Sequence, residues 1–586
     1  MRTVYSSVVV ERRKDGTILM DHPTALPAVS GTIPDRLRYW AGNTPDAPFL
    51  TEGERTITYA AFEAERGRLA SRLAALSSDS SRPIVIVGDN GIDQALMLLA
   101  AFSIGIPVAI VSPAYASSAA APWAKLQKLV GPLDPILILA DDPVAVEKAL
   151  AGLDIVAPVH SLHNLSWVEA LSSINVHDLE AEVTGVTVAK LLYTSGSTGS
   201  PKAVINTQAM MVSNMMALEI VWPFLAERRP VMVDWLPWNH TFGGNCCFHI
   251  ALWFGGHMVI DKGRPTPTLI ERTVAAIRAY RPTLYFNVPI GYELLLPFLE
   301  EDDALARGFF MGLDFVFNAG AALPSSTRGR IEALALRVTG RPANIVGGWG
   351  STETAPFATV LNFATGEAAN LGLPIPGTTI KMVPDSGRME LRIRGPNVTP
   401  GYWKAPELTA LAFDEEGYYR IGDAGRFADP EDPSAGIVFD GRVTENFKLS
   451  TGTFVNVGAL RLKAIAAGER LISDAVVVGE GRSELGLIVF ANDTACRDLL
   501  GEDACHSWED AVAHHPRIIQ RLAELLRDYN TTAGGSSMRI ARFIVADGPP
   551  DPHLEEITDK GYLNQRRIIA NRVHLIERLF DEGTAL

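Results

Sequence analysis

Cysteine is scarce: four in a chain of 586 residues, at Cys246, Cys247, Cys496 and Cys505. So few thiols, at spacings that fit no zinc pattern, exclude a disulfide framework and a structural zinc site. Cys246 and Cys247 read as small buried residues. Positive charge is scarce as well. Lysine and arginine number 52 against 67 acidic residues, a formal charge of −15, which argues against a general nucleic-acid binder. A polyanionic substrate would then need local basic pockets. No unbroken apolar run is long enough to cross a bilayer. The nearest case, Ala95 to Val111, is broken by Gly105 and Pro107 and preceded by Ile84-Val85-Ile86-Val87. It reads as strand, helix, strand in a buried parallel sheet rather than a membrane span. Met1 to Met20 is charged and has no signal-peptide apolar region. The expectation is a cytoplasmic protein with neither membrane nor nucleic acid among its partners.

The length is too great for one hydrophobic core, so at least two domains are expected. A helix opens residues 30–60, ahead of a short strand at Thr56-Ile57-Thr58-Tyr59. A helix from Tyr59 to Leu76 follows, then the unit above, a buried strand at Pro135-Ile136-Leu137-Ile138-Leu139 and a helix from Val144 to Leu150. Such alternation points to a doubly wound α/β fold.

The densest chemistry lies at Tyr193-Thr194-Ser195-Gly196-Ser197-Thr198-Gly199-Ser200-Pro201-Lys202-Ala203-Val204. It follows the end of a buried strand, Ala189 to Leu192, interrupted only by Lys190. Glycines let the backbone turn and approach a ligand, successive N–H groups make an anion-binding concavity, and hydroxyls and a lysine add donors. This is a phosphate cradle, although no glycine precedes Lys202 in the order a Walker A loop requires. A Ser/Gly-rich linker is the alternative. A helix is expected from Thr207 to Ala217.

The segment resembles the signature loop of the adenylate-forming superfamily, which includes acyl-CoA synthetases, peptide-synthetase adenylation domains and luciferases. The resemblance implies a large N-terminal domain, residues 1–442, of doubly wound α/β subdomains plus a small β-barrel. A smaller mobile α+β domain, residues 443–586, would follow. It further implies that Thr194, Ser195, Gly196, Ser197, Thr198, Gly199 and Lys202 hold the β- and γ-phosphates of ATP. Phe315-Val316-Phe317-Asn318-Ala319-Gly320-Ala321-Ala322 is similar to the strand and small-residue turn against adenine, with Gly320 and Ala321 at the base. Gly347-Gly348-Trp349-Gly350-Ser351-Thr352-Glu353 resembles the family's GYGxTE motif. Trp349 stands in the tyrosine's place, beside Gly350; Thr352 would meet the α-phosphate and Glu353 would hold Mg²⁺, which needs only one or two carboxylates beside phosphate oxygens.

By the same resemblance Asp423 accepts the ribose hydroxyls, Arg442 makes a second ribose or phosphate contact, and the hinge lies at Arg442-Val443-Thr444. His240, in Trp235-Leu236-Pro237-Trp238-Asn239-His240-Thr241-Phe242-Gly243-Gly244, falls at the mouth of the acyl pocket. Alone, a histidine in an apolar context is as well read as a structural residue. The surrounding aromatics Trp235, Trp238, Phe242, Phe248, Trp253 and Phe254 read equally as core or as a slot for a flat acid. Lys448 matches the lysine brought to the acyl-adenylate for thioester formation.

Three segments resemble the feruloyl-CoA synthase branch: the one from Trp235, Leu449 to Gly458, and Ile557 to Arg566. The expected activity is therefore AMP-forming ligation of coenzyme A to an aromatic acid, ferulic or another hydroxycinnamic acid. ATP, Mg²⁺ and coenzyme A are the implied cofactors and co-substrates, and a homodimer is compatible. Benzoate, salicylate or medium-chain ligases, a free-standing loader of a carrier protein, and a nucleotide binder without catalysis are the alternatives. The tail departs from the family's TxxGKxxxR: Tyr562 follows Gly561 where the catalytic lysine belongs, and Lys560 lies just before. A tyrosine cannot supply the cation, so Lys560 is expected to reach in instead. Lys560→Ala should then lower the rate of acid-dependent AMP formation; a full rate in that variant would remove Lys560 from the site.

Overall fold

The computed structural model describes all residues except 1–6, 77–78, 80, 118–120, 122, 196–200, 321–322, 364, 366–368, 386–387, 444–446, 502–511, 552–553, 555, 558–562 and 582. The chain divides into two compact units. One comprises Met1–Val383, Leu391–Ile421 and Phe427–Val438; the other Pro384–Glu390, Gly422–Arg426 and Phe439–Leu586.

Two α/β sheets dominate the larger unit. The first runs Pro201–Thr207, Val188–Ser195, Val108–Val111, Ile84–Val87, Leu137–Ala140, Val159–Ser161. Every neighbouring pair is parallel except the edge pair Pro201–Thr207 and Val188–Ser195, which is antiparallel. The central strands read IVIV, VAIV and LILA and are buried throughout, as sheets covered on both faces require. The second sheet has nine strands, with Ile345–Gly350, Phe315–Asn318, Leu284–Asn287, Val231–Asp234 and His257–Ile260 adjacent in that order. Those five are parallel. The helix Ile92–Ser103 touches strands of both sheets and is buried on nearly every side. A helix apolar all round belongs in such a place, so the run Ala95 to Val111 is core, as expected. Among the described residues no helix is long and apolar enough to cross a membrane.

Two elements differ from expectation. A strand Pro48–Glu52 pairs with Arg55–Thr58, where only the second had a clear alternating pattern. The exit from the phosphate loop is a strand, Pro201–Thr207, before the helix Gln208–Val221. Pro201 is tolerated there because it is the first residue of an edge strand and owes the ladder no N–H.

Elsewhere in the larger unit a buried ion cluster surrounds Asp414. Its Oδ2 lies 3.0 Å from both Lys381 Nζ and Arg392 Nη1, and its Oδ1 accepts the N–H groups of Tyr418 and Glu416 at 2.9 and 3.0 Å.

The smaller unit carries a four-stranded sheet, Ile472–Val478, Leu485–Ala491, Ile540–Val545, Thr584–Ala585. Period-two alternation sends Ala475, Val477, Leu487 and Val489 to one face, against the helices Val457–Ala467 and Pro516–Thr532. Val476, Val478, Ile488 and Phe490 go to the other face, against Gln565–Asn571 and Val573–Asp581. One sheet thus supports two cores.

Burial alone would raise the Asp414 carboxyl, but the Tyr418 N–H, Lys381 and Arg392 outweigh it and lower its pKa from 3.8 to about 2. A depressed carboxyl stabilises the fold above its unfolded pKa and loses that contribution as pH falls through the folded one. About 2 kcal/mol should disappear between roughly pH 4 and pH 2. Acid titrations followed by circular dichroism should show Asp414→Asn less stable than the parent at pH 7, the difference closing toward pH 2.

Candidate active site

Two strands flank the Ser/Gly-rich segment. Ser195 pairs with Pro201 and Thr194 with Lys202, so the ladder brackets residues 196–200. Gly196, Ser197, Thr198 and Gly199 lie outside the described residues, as does the Ser195 side chain. Thr194 is half-buried, and the neighbouring Tyr193 hydroxyl donates to Leu129 O at 2.6 Å. Lys202 places its Nζ 5.0 Å from the centre of the Tyr402 ring.

Glu353 sits on a one-turn helix, Thr352–Thr354, directly after the strand Ile345–Gly350. Ser351 Oγ accepts the Glu353 N–H at 3.2 Å, and Thr354 Oγ1 accepts the Ser351 N–H at 2.8 Å. These reciprocal bonds satisfy donors that a helix start leaves open. Gly350 has φ +156°, and a Cβ there would stand 2.0 Å from Pro356 O and 2.5 Å from Thr354 Oγ1; only glycine fits. Thr352, Glu353 and Thr354 are all buried.

The carboxylate meets the phenols of Tyr402 and Tyr419. Tyr402 Oη donates to Glu353 Oε1 at 3.2 Å, and Thr399 N–H donates to Glu353 O at 2.8 Å. Burial first, then the Glu353 charge, pushes the Tyr402 hydroxyl well above its ordinary value, and the same causes raise Tyr419. Both phenols stay protonated at neutral pH, so Tyr402 remains a donor to the carboxylate while its ring face takes the Lys202 cation. The strand bearing Lys202, the segment bearing Tyr402 and the short helix bearing Glu353 therefore bring a cation and a carboxylate to the same ring. Among the described residues no group of three His, Cys, Asp or Glu side chains could hold a metal alone. One buried carboxylate beside the Thr352 hydroxyl is an all-oxygen set. It suits Mg²⁺ completed by water and phosphate oxygens rather than a protein cage.

Gly320 follows the strand Phe315–Asn318 at φ +90° and is exposed; Ala321 lies outside the described residues. Trp349 is buried in its strand, opposite Thr359.

His240 is half-buried between two tightly built segments. Asn90 holds the preceding loop by donating to Leu236 O and accepting the Trp238 N–H, both at 2.9 Å. A π-helix, Phe242–Cys247, follows, a feature that recurs at functional sites. A Cβ on Gly243 would lie 2.2 Å from Leu236 O, and one on Gly244 2.3 Å from Trp238 O, so the glycine pair lets this helix press onto the loop. The aromatic cluster separates into two groups. Phe242 is half-buried and lies 6.2 Å from Phe286 and 5.9 Å from Phe317, both of them buried. Trp238, Phe248 and Trp253 are buried core instead: Trp238 packs on Phe248, Phe248 on Phe49, and Arg36 lies over Trp253. Cys246 and Cys247 are buried and free.

In the smaller unit Asp423 is buried on the strand Tyr419–Phe427. Arg442 ends the strand Ile437–Arg442 with its Nε 3.5 Å from Asp423 Oδ1, its side chain 61% exposed. A buried acceptor with an exposed cation beside it suits a diol flanked by phosphate. Lys448 is exposed on the two-residue strand Phe447–Lys448, whose partner is Phe454–Val455. Thr444, Lys560 and Tyr562 fall outside the described residues.

Comparison with known proteins bears on this geometry. The family model "AMP-binding enzyme" matches residues 37–403, and the model "AMP-binding enzyme C-terminal domain" matches residues 448–583. The chain belongs to the AMP-binding enzyme family. Among relatives of this AMP-binding enzyme is anthranilate–CoA ligase of Pseudomonas aeruginosa, 29% identical over 443 residues, covering 71% of this chain and 77% of that protein. Another is 3-hydroxybenzoate–CoA ligase of Aromatoleum sp., 27% identical over 323 residues, covering 52% of this chain and 56% of that one. The fold matches the ATP-bound MatB crystal structure from Rhodopseudomonas palustris with TM-score 0.71 at 19% identity, covering 94% of this chain and 99% of that one. It also matches o-succinylbenzoate CoA synthetase of Bacillus subtilis with its acyl-adenylate, TM-score 0.69 at 16% identity, covering 92% and 98%. The large N-terminal and smaller C-terminal parts of this enzyme are those of adenylate-forming proteins.

Two residues of interest escaped sequence reasoning. Tyr402 reads there as part of a turn, and its partnership with Glu353 spans 49 positions, so no local pattern announces it. Lys190 did leave a trace, as one charge inside an otherwise apolar strand.

If Glu353 serves the metal, Glu353→Gln should lower magnesium-dependent AMP formation by about 10²-fold or more and leave the melting temperature nearly unchanged. Parallel losses of rate and stability would make Glu353 structural.

Proposed function

We propose that this enzyme is an AMP-forming acid–CoA ligase whose substrate is an aromatic carboxylic acid, with a hydroxycinnamic acid such as ferulic acid the best candidate. The observation that carries the reading is the Glu353–Tyr402–Lys202 arrangement at the base of the Ser/Gly hairpin. A buried carboxylate and a cation flank a loop of the composition that cradles phosphates. The half-buried Phe242, two residues after His240 and packed on the buried rings of Phe286 and Phe317, supports a flat acid.

A carboxylate is a poor electrophile because its charge is delocalised. One carboxylate oxygen attacks the α-phosphorus of ATP; the bond to the β-phosphate oxygen breaks, and pyrophosphate leaves from an acyl-adenylate. The coenzyme A thiol, losing its proton, then attacks the acyl carbon and AMP departs. In this scheme the hairpin residues from Thr194 to Gly199, with Lys202, grip the β- and γ-phosphates, and Thr352 contacts the α-phosphate. Glu353 would hold Mg²⁺, which when bound shields phosphate charge. Asp423 and Arg442 take the ribose, Gly320, Ala321, Trp349 and Gly350 border adenine, and His240 stands at the acid's entry. Lys560 serves the first half-reaction and Lys448 the second, with the part beyond residue 443 turning between them.

A second reading, a benzoate-type ligase, is favoured by the relatives that act on anthranilate and 3-hydroxybenzoate. The test is a panel of ferulate, p-coumarate, benzoate, salicylate, anthranilate, 3-hydroxybenzoate and octanoate, assayed for AMP with and without coenzyme A. Ferulate or p-coumarate should rank first, with turnover dependent on coenzyme A. A benzoate in first place would install the second reading. Adenylation with no effect of coenzyme A would point to a carrier-protein loader, and no AMP from any acid would end the ligase reading.

A further inference from the structure

The Lys190 side chain is fully buried. It stands on the strand Val188–Ser195, opposite Asn206 on the strand Pro201–Thr207. Those two strands carry the phosphate loop between them. Both hydrogen bonds of the amine leave the sheet for one place: Nζ donates to Gly244 O at 2.6 Å and to Asn245 Oδ1 at 3.0 Å. The second strand reaches the same residue, since Asn245 Nδ2 donates to Asn206 Oδ1 at 2.8 Å. Asn245 Nδ2 also lies 3.1 Å from Thr241 Oγ1, next to His240. Asn206 in turn donates to Val204 O at 3.2 Å. A continuous buried polar chain thus joins both strands of the hairpin to the π-helix that begins two residues after His240.

Nothing else in the core needs a lysine here. Phe102 lies 5.8 Å from Nζ, and the nearby His249 is itself fully buried and held well below its ordinary pKa by burial and then by Lys190. Burial also lowers the lysine, to about 7. Charged or neutral, the amine keeps at least two N–H donors for the acceptors that Gly244 and Asn245 present. An apolar residue in this strand would avoid the desolvation cost, and exchanging a buried polar group for an apolar one of similar shape is often neutral for stability. What an apolar residue would lack is the link between the two segments.

We infer that Lys190 is a positioning residue that couples the phosphate-binding hairpin to the acid-side π-helix, so that nucleotide seated at one orders the other. This rests on the nucleotide role proposed for the hairpin. Coupling needs an element whose arrangement both ligands bias, and the Gly243–Gly244 contact with Leu236 and Trp238 makes the π-helix and the His240 loop move as one body.

The test is amide hydrogen exchange on the full chain with and without MgATP, comparing the parent with Lys190→Met and with Asn245→Leu. In the parent, MgATP should slow exchange in the hairpin and also in residues 236–247, the latter by about fivefold or more, the lower end of usual site-to-site coupling. In Lys190→Met the hairpin should still be protected while the effect on 236–247 falls below about twofold. Asn245→Leu should behave alike, and it covers the case in which the methionine variant does not fold. Protection of 236–247 that is absent from the parent, or unchanged in the folded variants, overturns the coupling and leaves the ligase reading intact. A parent with no MgATP protection anywhere overturns both.

Discussion

A carboxylate removed from water must be matched, and Glu353 is matched by the phenols of Tyr402 and Tyr419. The bond from Tyr402 holds the acid in place without neutralising it, because the phenol's own pKa is driven further up by burial and by the glutamate. Everything near it follows from that requirement. Gly350 must be glycine so the chain can turn back under Pro356. Ser351 and Thr354 must close the turn's open donors. Tyr402 must be held from a distant segment, which its N–H bond to Thr409 Oγ1 at 2.9 Å achieves. With the carboxylate so fixed, Lys202 lies over the ring of the same tyrosine, its Nζ 5.0 Å from the ring centre.

The fold supplies the rigid frame. In a parallel sheet the ends of successive strands lie side by side, and ligands of open α/β sheets bind beyond their carboxyl ends. Asp234, Asn287, Asn318 and Gly350 terminate neighbouring or near-neighbouring strands of the nine-stranded sheet. The buried helix Ile92–Ser103, packed against strands of both sheets, joins them into one core. The strands Val188–Ser195 and Pro201–Thr207 belong to the first sheet, so Lys190, which bonds from there to Gly244 and Asn245 of the π-helix, has a structural place that no surface lysine has.

Close backbone approach is the second recurring device. Gly243 and Gly244 allow the π-helix to lie on the carbonyls of Leu236, Pro237 and Trp238, and Asn90 pins those same residues from the far side. His240 is thereby held between two segments that cannot shift independently. From the same helix the half-buried Phe242 packs on the buried rings of Phe286 and Phe317, whereas Trp238, Phe248 and Trp253 are themselves in the core.

Much of this was legible from residue order alone. Buried strands announced themselves as runs such as IVIV and LILA, because that pattern depends on interactions within a few residues, and the segment around Glu353 was legible through its resemblance to the GYGxTE motif. The alternating strand Arg55–Thr58 was legible, while its partner Pro48–Glu52 was not, since pairing rather than pattern makes it a strand. The exit strand at Pro201 was hidden for the same reason. Whether an aromatic is half-buried or in the core, that Tyr402 meets Glu353, and that Lys190 reaches Asn245 were decided only in three dimensions. Those contacts join positions tens of residues apart, and their free energy comes from shared burial, which a linear pattern does not record.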